Sequence, residues 1–121
     1  MPAKKNLHYI LSGQEPVPCN DLLRFAEWMF RDEIEHRRVA ETVLGEHDRN
    51  RKLVRISTVF LGLDHAGYFS DIKQLFETQV FGGERDGYIK RYATWQEAEV
   101  GHRQVVSMLK GGYPNSPNEA E

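Results

Sequence analysis

The run Leu53–His65, LVRISTVFLGLDH, constrains this chain more than any other segment. Val54 and Ile56 alternate with Arg55 and Ser57, the two-residue period of a strand with one dry and one wet face. From Val59 to Leu63 every residue except Gly62 is apolar. A strand that is dry on both sides is normally central and covered twice. Gly62 inside such a run marks a bulge or a place where another backbone comes close. The run stops abruptly in an acid and a histidine, Asp64 and His65. A chain with such a strand has to build a sheet around it.

The other elements follow from local chemistry. His8–Ser12 reads as an edge strand, with Gly13, Pro16 and Pro18 forming the turn behind it, because proline fixes φ and lacks a donor. Asn20 or Asp21 supplies a capping oxygen for a helix whose stripe is Leu22, Phe25, Ala26, Met29 and Phe30, ending near Asp32. Arg37–Leu44 fits either a continued helix or a strand. The cluster of Val39, Thr42 and Val43 favours a strand, with Glu46–Lys52 as a hairpin connection to Val54. Gln74–Phe81 reads as a strand with Phe76, Thr78 and Val80 on one face and Leu75, Glu77 and Phe81 on the other, ended by Gly82-Gly83. Thr94 and Glu97 have capping-box spacing. They open a helix with the stripe Trp95, Ala98, His102, Val105 and Leu109, closed by Gly111-Gly112 and Pro114. The expected fold is α+β: a small antiparallel sheet with two main helices mostly on one face, in the order β-α-β-β-β-α.

With 121 residues the chain suits a single domain, 1–114, followed by a disordered tail, 115–121. A chain of this size buries about two-thirds of its unfolded surface, enough for a core without disulfides or metal. A net charge of −2 from 16 basic and 18 acidic residues argues against a dedicated nucleic-acid binder and against an acidic DNA mimic. The lone Cys19 makes no internal disulfide and reads as an inert thiol. No apolar leader follows Lys4-Lys5 and no long apolar span occurs, so a reduced, cytoplasmic protein without a membrane segment is expected.

Candidate chemistry is sparse. Asp64, His65, Glu77 and His102 could gather at one end of the sheet as a ligand or partner site. They lack the spacing of a metal-binding motif, and no metal or cofactor is expected. The plainer reading packs His102 at the core edge, one ring nitrogen on a backbone carbonyl, with Asp64-His65 capping the strand. Glu77 in mid-strand is either solvated or held by a partner such as an arginine. Glu33…His36 and Glu99…His102 share the i, i+3 spacing of di-iron bundle ligands, but a strand-rich chain does not supply the four helices. Gly82-Gly83 lacks the lysine and hydroxyl of a phosphate loop. Arg49, Arg51, Lys52 and Arg55, interleaved with acids, read as a solvated loop rather than a nucleic-acid contact. Val59, Leu61 and Leu63 share one face that two helices can scarcely cover as well as the other, which predicts an interface, a homodimer or a partner.

The phrases STVFLGLDH (Ser57–His65), LFETQVFGG (Leu75–Gly83) and YATWQEAEVGH (Tyr92–His102), in that order, resemble an uncharacterised family of small bacteriophage and prophage proteins. The resemblance spans roughly Arg38–Leu109. The chain departs where Gln79 replaces a usual methionine and where the loop after His65 is poorer in Gly and Pro. The resemblance carries no catalytic residues across. It implies a phage or prophage product acting in the bacterial cytoplasm as a non-enzymatic binding protein, for example an antagonist of a host or defence component or a ligand sequestrant. The alternatives are a small hydrolase or ligand pocket on His65, Glu77 and His102, and a nucleic-acid accessory using Arg49–Arg55.

Overall fold

The computed structural model describes residues 6–31, 34–45, 53–67 and 70–111. The fold is α+β, with two helices, a two-stranded sheet and a four-stranded antiparallel sheet. The expected order holds with two strands added. β1 (Tyr9–Ser12) and β2 (Glu15–Pro18) form an N-terminal hairpin, followed by α1 (Leu22–Phe30) and a 3₁₀ turn, Glu35–Arg37. Then β3 (Arg38–Leu44), β4 (Val54–Phe60), β5 (Phe76–Phe81) and β6 (Ile89–Tyr92) form a meander in sequence order, and α2 (Trp95–Leu109) closes it.

The hairpin corrects the expectation for Pro16 and Pro18. The turn is Gly13-Gln14, with Gly13 at φ +64°, and both prolines lie in β2, opposite Leu11 and Tyr9. Their two-residue spacing puts both missing N–H groups on the outer edge, where no ladder bond is lost. The ambiguous Arg37–Leu44 segment is a strand from Arg38 onward, paired along β4 with a register shift between Arg38 and Ala40. The Glu46–Lys52 connection and the 115–121 tail lie outside the described residues.

Asp21 caps α1 by accepting from the N–H groups of Leu23 (3.1 Å) and Arg24 (3.2 Å). The stripe expected for this helix is only half right. Met29 is buried, but Leu22 is 62% and Phe30 79% exposed. The helix sits at one end of the sheet rather than flat on it. Phe25 meets the His8 ring edge-on, Trp28 meets Phe60, and Met29 lies against Gly62. Gly62 has φ +80°, and a Cβ there would lie 2.6 Å from the Met29 sulfur. The neighbour is a side chain and not the backbone expected there, and it is the left-handed φ that favours glycine.

The apolar run after Val59 also has a different cause from the one expected. β4 is central, between β3 and β5, but it ends at Phe60. Leu61–Asp64 then crosses from one sheet to the other. Leu61 N–H donates to Leu75 O, Tyr9 N–H to Gly62 O, and Asp64 N–H to Leu7 O, while Leu63 bridges His8. The run is apolar because it joins two sheets, not because one strand is covered twice. Val59, Leu61 and Leu63 therefore do not share a sheet face: Val59 is in the strand, Leu61 is half-buried just past it, and Leu63 has turned to the hairpin.

One face of the large sheet carries Ile56, Thr58 and Phe60 from β4, Phe76, Thr78 and Val80 from β5, and Tyr92 from β6, all buried. α2 packs on this face through Ala98, Gly101, His102 and Val105. Thr94 Oγ1 accepts from Glu97 N–H at 3.1 Å. The return bond differs from the expected capping box, since Glu97 Oε1 takes the N–H of Ala93, one residue earlier, at 3.1 Å. Gly111, at φ +89°, terminates the helix as expected. Two apolar clusters result, one around Phe60, Leu75, Phe76, Tyr92 and Ala98, the other around Ile56, Val80 and Val105. A layer of polar side chains lies between them.

Candidate functional site

That layer is built by register. Thr58 and Thr78 are direct cross-strand partners, and each is flanked on its own strand by apolar residues of the same phase. Thr42 sits one pair along, opposite Ile56. His102 comes down from α2 between these hydroxyls. Thr58 Oγ1 lies 2.7 Å from its Nδ1 and Thr42 Oγ1 2.9 Å from its Nε2. Thr58 and Thr78 are hydrogen-bonded to each other, and Tyr92 O–H donates to Thr78 Oγ1 at 3.1 Å. The backbone makes room for the last member at Gly101, where a Cβ would clash with the hydroxyl edge of the Tyr92 ring.

Counting protons orients this chain. Thr78 accepts from Tyr92 and is fully buried, so its own hydrogen has to be used inside the network. It goes to Thr58, Thr58 donates to Nδ1, and Nε2–H donates to the half-buried Thr42. The opposite order strands the Thr78 hydrogen in the core, at a cost of about 1–3 kcal/mol. His102 is therefore the neutral Nε2–H tautomer. Burial lowers its pKa below the usual imidazole value, and burial also raises that of Tyr92. With both ring nitrogens bonded and 4% of the residue exposed, His102 has neither a lone pair nor a path to offer a substrate. The expected bond from one ring nitrogen to a backbone carbonyl is replaced by two hydroxyl bonds.

The four candidate residues do not converge. Glu77 is on the opposite face of the sheet from Thr78 and His102, where its Oε2 accepts from Arg91 Nε at 3.0 Å. This is the arginine partner that one reading of its mid-strand position required. His65 lies exposed in the loop after β4, its backbone N–H on Gln74 O. Asp64 is buried in the same loop, where Oδ1 accepts from Ala66 and Gln74 N–H, both at 3.0 Å. Among the described residues no group of three His, Cys, Asp or Glu side chains is placed to hold a metal. Cys19 is buried with its Sγ near Asp21 O.

The sheet face opposite α2 is a different kind of surface. No helix covers it among the described residues, and Val43, Arg55, Ser57, Val59, Glu77, Gln79, Phe81, Ile89 and Arg91 on it are half-buried or exposed. Its charges are internally matched. Arg55 Nη1 pairs with Glu41 at 3.1 Å and the guanidinium lies 4.3 Å from the Phe81 ring centre, while Arg91 pairs with Glu77. Arg55 is thus drawn out of the basic Arg49–Arg55 segment, whose other members lie outside the described residues. Between β4 and β5 the face dips into a depression of about 180 Å³, overhung by Ile34. A separate cleft of about 460 Å³ opens between the hairpin and the start of α2, floored by Tyr9, Leu75 and Trp95 and edged by Glu15, Asp71 and Lys73.

Comparison with family models, with curated proteins and with solved structures finds no match to this chain. Among the described residues no helix is long and apolar enough to cross a membrane.

The threonine layer was not anticipated from sequence, although a signal existed. Thr58 and Thr78 occupy the buried phase of two neighbouring strands, and His102 occupies the buried stripe of the last helix. Three polar residues on three core-facing stripes have to meet or remain unpaired.

Proposed function

We propose that this protein is a non-enzymatic binding module whose working surface is the uncovered face of the four-stranded sheet. The observation that carries this reading is the exposure of Val43, Phe81 and Ile89 on that face, set among ion pairs that are already satisfied. Exposed apolar residues grouped on one face usually mark an interaction surface. The same reading accounts for the dispersal of His65, Glu77 and His102. Resemblance to phage and prophage proteins supports a bacterial cytoplasmic setting, with a host or defence protein as the bound partner.

The test is capture from bacterial lysate on immobilised wild-type protein and on the Val43→Lys, Phe81→Lys variant, both with the same melting temperature. A host protein held by the wild type and lost by the variant supports the reading. An identical or empty set overturns it.

A second reading, ligand sequestration, is favoured by the cleft beside α2. Its volume is in the range of small-molecule sites, and its floor includes Trp95, whose buried Nε1 has no hydrogen-bond partner. Native mass spectrometry of untagged protein tests it, and a spectrum showing the bare chain mass alone speaks against it.

A further inference from the structure

We propose that the uncovered sheet face pairs with the same face of a second copy, with Ile89 of each chain entering the depression between β4 and β5 of the other. This rests on the reading of that face as the working surface, which a second copy covers when no host protein is bound.

Charge comes first. On this face Glu41 holds Arg55, Glu77 holds Arg91, and Arg38 pairs with Glu35 and Glu41. Every one of these charges has an opposite neighbour within its own chain. Among the described residues a nucleic acid, an anionic membrane or a strongly charged peptide finds no unmatched charge here to recognise. A second copy brings a face that is equally neutral, so nothing repels it.

Shape points the same way. Among the described residues the face has a hollow lined by Val59 and Phe81, with Ser57 and Gln79 and the paired Arg55 and Glu77 around them, and beside it stands Ile89, the cross-strand neighbour of Gln79. Ile89 is 43% exposed. The hollow, at about 180 Å³, is large enough for one aliphatic side chain, since a cavity of about 150 Å³ already admits benzene. A knob and a hole on one surface satisfy each other twice over when a twofold axis lies midway between them.

Size sets the expected strength. Four strands about 4.8 Å apart and about six residues long make a face of roughly 400 Å² in projection. That is below the ~800 Å² per partner of a standard interface, so association in the micromolar range is expected.

The experiment is light scattering after size exclusion from about 1 to about 200 μM, a range that brackets a micromolar constant. The expected result is a mass rising from monomer to dimer. Ile89→Lys removes the knob from an exposed position on an edge strand, and Gln79→Trp fills the hollow. Each is expected to weaken association at least ~100-fold with an unchanged circular dichroism spectrum, whereas Ile89→Leu retains the dimer. The pair of variants guards against one of them disturbing the fold. Wild-type protein that stays monomeric throughout, or a dimer that survives both substitutions, overturns the proposal. Monomeric protein whose host capture is still lost on Val43→Lys, Phe81→Lys refutes the dimer alone. A dimer with unaltered host capture refutes the partner reading alone.

Discussion

Thr58 Oγ1 lies 2.7 Å from Nδ1 of His102 and ties a central strand to the last helix across 44 positions of sequence. This bond orders the polar layer. It gives the imidazole its tautomer, makes protonation costly, and fixes α2 along the sheet, because His102 fits only where Thr42 and Thr58 flank it.

The first expected outcome concerns pH. The folded pKa of His102 is lowered by burial, while in the unfolded chain it returns to about 6.5. The unfolded state thus binds more protons on acidification. The stabilising contribution of the neutral imidazole is fully present above about pH 6.5 and is lost as pH falls from there toward the folded pKa. Urea midpoints measured between pH 5 and 8 should rise with pH in the wild type. They should rise less in His102→Gln, and equal slopes would remove this explanation.

The threonine pair lends itself to a double-mutant cycle. Thr58→Val leaves Thr78 and Nδ1 each short of a partner, and a loss of about 1–3 kcal/mol is expected. Thr78→Val orphans the Tyr92 hydroxyl in the same way. Because the two residues share one bond, the double variant should lose less than the sum of the singles. Additive losses by chemical denaturation would mean that the hydroxyls act independently.

At Gly101 two effects oppose each other. Alanine improves helix propensity by about 1 kcal/mol over glycine, but its Cβ would meet the Tyr92 ring, which is stiff and buried. Overpacking of this kind costs about 1–3 kcal/mol. Gly101→Ala is expected to be destabilising on balance. Combined with Tyr92→Leu the added methyl should become neutral or favourable, and thermal melts of the four proteins decide.

Asp64 was a candidate binding residue and instead organises a loop. Asp64→Ala removes the acceptor for two backbone N–H groups, with an expected loss of about 1–3 kcal/mol. Asp64→Asn, which keeps an acceptor oxygen in place, should lose less. A result in which partner capture falls while both melts stay at the wild-type value would restore Asp64 to the binding surface.

Much of the fold was legible in residues 54–57, where alternation set the strand and its wet face, and in Thr94 and Glu97, which opened the last helix. What escaped notice had physical causes. β6 is four residues, IKRY, too short for periodicity to show. β2 carries two prolines that suit an outer edge as well as they suit a turn. Leu61–Leu63 is apolar for a reason that sequence spacing does not encode, namely contact with a hairpin distant in sequence. For the site, His102 lies on the buried helix stripe that its spacing predicts, yet its partners are threonines. A threonine on a strand is ordinary until the cross-strand register is known.

The crossing at Leu61–Asp64 also bears on how the molecule comes into being. During synthesis the hairpin is made before the carbonyl of Gly62 and the amide of Asp64 that close onto it. Two short strands alone in water are marginal at best. The hairpin is thus made before the segment that orders it. Amide exchange should show Tyr9 acquiring protection together with β4, not ahead of it.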